Sequence, residues 1–252
     1  MRWTGPLESA ALLTILRVPA STHASARGVL PWAPAVGLVL GGVATGVAVL
    51  GARWISPLAG AVLGMAVLAG LTRGLHLDGL ADTADGLGPL RGRERALQVM
   101  HQSDIGPFGV VTLVLTLLLQ VACLATLLTA DGGWLALWTA VVVARLAMAR
   151  TGLPRVAMAE GSSLGRLVAS TVSAPWLAAC GLVLVGLVAA GTGGDPALTA
   201  RLLGAAAAGL LAAELLYRRA RARLGGVTGD VMGAMGETAT TAALLVAAVL
   251  LA

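Results

Sequence analysis

The sequence predicts an all-α fold: one polytopic membrane-embedded bundle over residues 1–252, with about seven transmembrane helices and a short N-terminal interfacial helix. Three observations carry that prediction. Only 12% of the residues are charged and 58% are hydrophobic, whereas soluble domains carry about 25% charged residues. Apolar runs near the ~20 residues that cross a hydrocarbon core recur along the chain. The arginines fall in alternate connecting segments, as a multi-pass topology requires.

Taken in order, residues 1–29 precede the first long apolar run. Glu8 interrupts them, and Arg17 is followed by Pro19, which fits a short interfacial or re-entrant helix and not a cleaved signal peptide. Spans are expected at 30–51, 55–73, 108–129, 134–150, 174–192, 198–217 and 231–252. The fourth contains Arg145, for which snorkelling to the interface competes with a bundle-facing contact. The seventh is fully apolar only from Ala242, so it begins near Val231 with Glu237 in its first turns. Trp3, Trp32, Trp54, Trp134, Trp138 and Trp176 lie near segment ends, where indole anchors at the headgroup level. Cys123 and Cys180 sit in apolar runs without metal or redox spacing and read as small buried hydrophobes.

All seventeen basic residues are arginine. With the N-terminal segment, the loops near 74–107 and 151–173 and the segment 218–230 on one side, fourteen arginines share that side. Arg53 and Arg201 fall on the other. The rich side is therefore expected to be cytoplasmic. The formal charge of +5 is a matter of topology and calls for no nucleic acid. Of twelve carboxylates only Asp131 and Asp195 fall on the arginine-poor side, so chemistry is expected at the cytoplasmic face.

The stretch HLDGLADTADG, residues 76–86, concentrates that chemistry. Asp78, Asp82 and Asp85 recur at i, i+4, i+7, which on a helix stacks three carboxylates on one face. Like charges so spaced repel, and a hard divalent cation relieves the conflict. Mg²⁺ suits it, because it binds through a few carboxylates, waters and substrate phosphates. A second acidic pair stands in GGVTGDVMGAMGE, residues 225–237. Asp230 and Glu237 again share a helical face. Thr228-Gly229 reads as a turn before the helix, with Asp230 as a plausible N-cap. An ionisable Glu237 inside a span points to function by default. The surrounding glycines admit close approach of either a phosphate or a neighbouring helix.

The third element is MHQSDIGPFG, residues 100–109. Asp104 adds a carboxylate, while Ser103, Gly106 and Gly109 suit a turn whose amides face a ligand. Arg91, among Arg91, Arg93 and Arg95, is the candidate for holding a diphosphate. His76, at the second span's exit, and Arg145 are candidate substrate contacts; His23 and His101 carry no usable signal. Glu214 with Arg218 reads as a structural i, i+4 pair. Together the acids suit transfer of a phosphoryl group from a diphosphate donor to an alcohol, with a metal at the leaving group and a carboxylate taking the hydroxyl proton.

HLDGLADTADG closely resembles the signature of the cobalamin-5′-phosphate synthase (adenosylcobinamide-GDP ribazoletransferase) family. LTILRVPA (13–20), MHQSDIGPFG and GGVTGDVMGAMGE follow the same order as in that family. The resemblance spans essentially the whole chain. It implies Mg²⁺-dependent joining of adenosylcobinamide-GDP to the 3′-hydroxyl of α-ribazole or its 5′-phosphate, with release of GMP, in a bacterial inner membrane. A homo-oligomer is compatible with it. The family's acids map onto Asp78, Asp82, Asp85, Asp230 and Glu237, with catalytic roles for Asp82, Asp85 and Glu237, and substrate contacts extend to Thr228 and Gly229. The middle motif departs from the family: Gln102 stands where an acid is usual and Asp104 where an arginine is usual, so either that carboxylate has moved two residues or the motif contributes less to metal binding. Two rivals share features. A CDP-alcohol phosphotransferase matches at Asp82-x-x-Asp85-Gly86, then fails at Pro89-Leu90. An ion-coupled transporter would place its ionisable groups near mid-bilayer and often shows repeats.

Overall fold

The computed structural model describes residues 4–18 and 26–251. Trp3, Arg2, His23 and the last residue of the seventh expected span lie outside them, as do the final two residues of LTILRVPA. Among the described residues the fold is wholly helical apart from one isolated bridge, Met158 with Val227. The helices are α1 (Thr4–Leu13), α2 (Val29–Trp54), α3 (Pro57–Leu71), α4 (Leu75–Leu87), α5 (Arg93–Met100), α6 (Pro107–Leu127), α7 (Leu135–Arg150), α8 (Ser163–Val168), α9 (Ala174–Gly191), α10 (Pro196–Leu224) and α11 (Gly229–Leu251).

Five of these, α2, α6, α9, α10 and α11, are long and apolar enough to cross a membrane, and the chain reads as a multi-pass membrane protein. The expected count of seven is not reached on length and composition. The second expected span ends early because Arg73 and Gly74 take positive φ, turning α4 by 88° from α3. Taken as one broken span, α3 and α4 make a sixth. The fourth, α7, has only 16 residues but is buried almost throughout and forms the central post of the bundle. Conversely, α10 runs seven residues past its expected end and carries Arg218 to Arg223 as a helical extension. The loops expected between spans also contain α5 and α8.

The N-terminal helix docks on α2. Ser9 Oγ donates to the Val29 carbonyl at 2.9 Å, and Glu8 Oε2 accepts from the Gly28 amide at 2.8 Å. Trp138 and Trp176 are not simple interfacial anchors. Their indole N–H groups donate to the Leu38 and Pro31 carbonyls, tying α7 and α9 to α2. Trp54 and Trp134 are exposed, as anchors would be.

The site is positioned by the contact between α4 and α11. A Cβ on Gly79 would lie 2.6 Å from the Asp230 carbonyl, and one on Gly233 would lie 3.1 Å from the His76 Cα. Glycine at both positions lets the two backbones touch, which brings the acids of α4 beside Asp230. Gly79→Ala should therefore force the helices apart and cost about 1–3 kcal/mol in a thermal or denaturant unfolding assay in detergent.

Candidate active site

Helix α4 is unbroken from Leu75 to Leu87, so the i, i+4, i+7 face exists as predicted. Its three aspartates are nevertheless unequal. Asp78 is exposed, Asp82 half-buried and Asp85 buried. Asp78 and Asp82 line a cavity of about 700 Å³, together with Arg73 and with Gln102, Ser103 and Asp104 from the link into α6. Asp104, the displaced carboxylate of the middle motif, thus shares a wall with the α4 pair. Burial, followed by repulsion from Asp78, Asp230 and Asp85, pushes the Asp82 carboxyl up to about 7.

Asp85 is committed elsewhere. Its carboxylate accepts the Gly106 amide at 2.8 Å and the Gly109 amide at 3.0 Å. These are amides left without intrahelical partners at the start of α6, where the helix dipole also favours an anion. The turn expected at Ser103 to Gly109 therefore forms, but its amides at Gly106 and Gly109 face Asp85 and not a ligand. Asp85 thus ties α4 to α6 and, unlike Asp78 and Asp82, does not line the larger cavity.

On the facing helix the N-cap is Thr228, not Asp230. Thr228 Oγ1 accepts the Val231 amide at 3.1 Å. That frees the Asp230 carboxylate, whose contact with Thr228 Oγ1 is 3.3 Å. Asp230, Thr228 and Gly229 line a second cavity of about 260 Å³ with His76 and His101. His101, unremarked in the sequence, acts electrostatically on both Asp82 and Asp230. His76 is 2% exposed. Burial, with the Arg145 charge adding to it, pushes its pKa well below the ordinary value and keeps the ring neutral. Of the remaining glycines of the last motif, Gly225 caps α10 at positive φ, Gly226 meets the Met158–Ala159 backbone of the α7–α8 link and Gly236 meets Met148 of α7.

Glu237 shares the Asp230 face but lies two turns further along α11, about 10 Å at the helical rise. It is buried, accepts from Gln120 Nε2 at 3.0 Å and is an electrostatic partner of Arg145. Gln120 also donates to Thr241 Oγ1 at 3.0 Å. Arg145 does not snorkel: it is 2% exposed, with Nε and Nη2 unpartnered by protein. Glu237 and Arg145 thus form an inner polar tier, and neither lines either cavity. Sequence reading missed Gln120, although a lone amide in the otherwise apolar run of α6 was a visible signal. Arg91 lies on the exposed α4–α5 link outside both cavities, and its carbonyl accepts from Arg223. Glu214 pairs with Arg218 as expected and also with Arg150 at 2.8 Å.

Among the described residues, no three His, Cys, Asp or Glu side chains form a group that would hold a metal by themselves. Asp78 and Asp82 nonetheless fit Mg²⁺ in its usual mode, one or two carboxylates completed by water and substrate phosphates. Mutual repulsion at Asp82 is the electrostatic condition a cation relieves. Asp85 accepts two backbone amides, Glu237 gives one oxygen to Gln120, and neither lines the larger cavity as Asp78 and Asp82 do.

Fold and site define a multi-pass helical membrane protein with a carboxylate-lined cleft at its arginine-rich end. Residues 6–248 match the cobalamin-5-phosphate synthase family, and the chain belongs to it. Similar relatives carry the name adenosylcobinamide-GDP ribazoletransferase. One from Frankia casuarinae is 39% identical over 255 residues, covering 94% of this chain and 91% of the relative. One from Leptothrix cholodnii is 40% identical over 234 residues, covering 90% and 85%. One from a Nocardioides species is 38% identical over 222 residues, covering 88% and 86%. No solved structure matches.

Proposed function

We propose that the protein transfers the adenosylcobinamide phosphate moiety from adenosylcobinamide-GDP to the 3′-hydroxyl of α-ribazole or its 5′-phosphate. GMP is released, and adenosylcobalamin or its 5′-phosphate is formed. One observation carries the reading: in a chain matching this family along nearly its whole length, Asp78 and Asp82 open into the largest of the described cavities, with Asp230 packed beside them. The arginine bias supports a cytoplasmic position for this face of a bacterial inner membrane.

The chain's own groups divide the work. Asp78 and Asp82 are the residues that would hold Mg²⁺, which when bound supplies charge neutralisation at the diphosphate and the departing GMP. Asp230, on the facing helix, is a carboxylate near them that lines the smaller cavity and accepts from local groups, Thr228 Oγ1 and its own backbone amide. It takes the proton of the attacking hydroxyl, a role expected for Asp85 or Glu237 from sequence but better suited to this cavity-lining group. The hydroxyl oxygen bonds to the phosphorus attached to the corrinoid, and the phosphoanhydride bond to GMP breaks. Asp85 and the α4–α11 glycine contact hold these groups in register.

Purified protein given adenosylcobinamide-GDP, α-ribazole and Mg²⁺ should release GMP in proportion to product, and removal of Mg²⁺ by chelation should abolish release. No GMP from folded protein with either acceptor would defeat the reading. CMP release from a CDP-alcohol would favour the phospholipid-synthase rival.

A further inference from the structure

We infer that the smaller cavity binds the acceptor, a ribonucleoside with a flat, largely apolar base, and that the donor's diphosphate lies in the larger cavity. This rests on the transfer reaction proposed above. Size separates the two substrates first. A cavity of about 260 Å³ suits a nucleoside and not a donor carrying a corrin ring and GDP, whereas the neighbouring 700 Å³ cavity opens around the acid pair and has room for the donor's diphosphate, the rest of the donor lying outside it. Wall chemistry separates them again. Leu13, Leu30 and Val168 make an apolar wall for a base, while Thr228, Asp230 and His76 make a polar edge for ribose hydroxyls. His76 is 2% exposed, lines the cavity and has Nε2 without a protein partner, so a buried hydrogen-bonding group is left for a ligand.

The layout also suits the chemistry. Leu75, in the first turn of α4, lines both cavities. An acceptor hydroxyl beside Asp230 and a donor phosphate beside Asp78 and Asp82 would thus meet across one helical turn. The cavity gathers pieces from far apart in the chain: residues 12–13, 29–30, 75–76, 101, 161–164 and 228–233. LTILRVPA, which holds no catalytic group, thus contributes to the site through its first residue, Leu13, beside Leu12.

The test fills the cavity from its half-buried wall. Leu164→Trp should raise both the Kd for α-ribazole, measured by calorimetry without donor, and the acceptor KM by at least about tenfold, with donor KM changed less than about twofold. Ser103→Trp, in the larger cavity, should do the reverse. Acceptor affinity unchanged in folded Leu164→Trp, or a rise in donor KM instead, would overturn the assignment. The binding arm separates the two claims: a wild type that binds α-ribazole, loses that binding in Leu164→Trp and releases no GMP defeats the transfer reading while the cavity assignment stands.

Discussion

Asp82→Asn should lower GMP release by on the order of 10²–10³-fold at saturating Mg²⁺, the range seen when one group stabilising transition-state charge is removed. The same variant should also lose a pH dependence that the wild type shows. The Asp82 carboxyl sits at about 7 because of burial and the aspartates around it. Below that pH it binds a proton, and a cation must displace the proton to use the oxygen. Wild-type Mg²⁺ affinity should therefore be flat above pH 7 and fall toward tenfold per pH unit below it, as one proton is released per ion bound. Asn cannot titrate, so the slope should vanish in the variant. Magnesium titrations between pH 5.5 and 8.5, followed by GMP release, read both effects. Near-normal turnover in Asp82→Asn would remove Asp82 from the centre of the mechanism.

Sequence reading reached the helical class and the α4 acid face because both are local. A period of 3.6 residues and apolar run length depend only on neighbours in the chain. What it missed depends on distant partners. Asp85 looks like Asp78 and Asp82 until α6 presents its first amides 21 and 24 residues later. Glu237 looks like a partner of Asp230 until Gln120, 117 residues away, takes one of its oxygens. Thr228 and Asp230 are both good N-cap residues, and only the backbone path selects Thr228. The second span was overrun because Arg73, a residue that seldom adopts positive φ, breaks the helix before the acids begin.

Neutralising Arg145 and Glu237 together should be far milder than neutralising either alone. Both are buried between α7 and α11, where the Glu237 charge acts on Arg145 without an ion pair closer than 4 Å. Removing one member of a buried pair strands the other charge, at about 3–5 kcal/mol, whereas removing both is often close to neutral. Glu237→Gln keeps an acceptor for Gln120 but leaves the guanidinium alone; Arg145→Met leaves the carboxylate alone. Each single variant should unfold well below wild type in detergent and lose activity with its fold. The double variant should recover most of the stability, because Gln at 237 still accepts from Gln120 and Met fills the arginine's path past Gly37. Activity distinguishes the roles. An internal counter-ion tier holds helices in place without touching substrate, so the stable double variant should keep GMP release within about tenfold of wild type, the lower end of losses from supporting residues. A double variant as stable as wild type but inactive would return Glu237 to the metal or proton-transfer set.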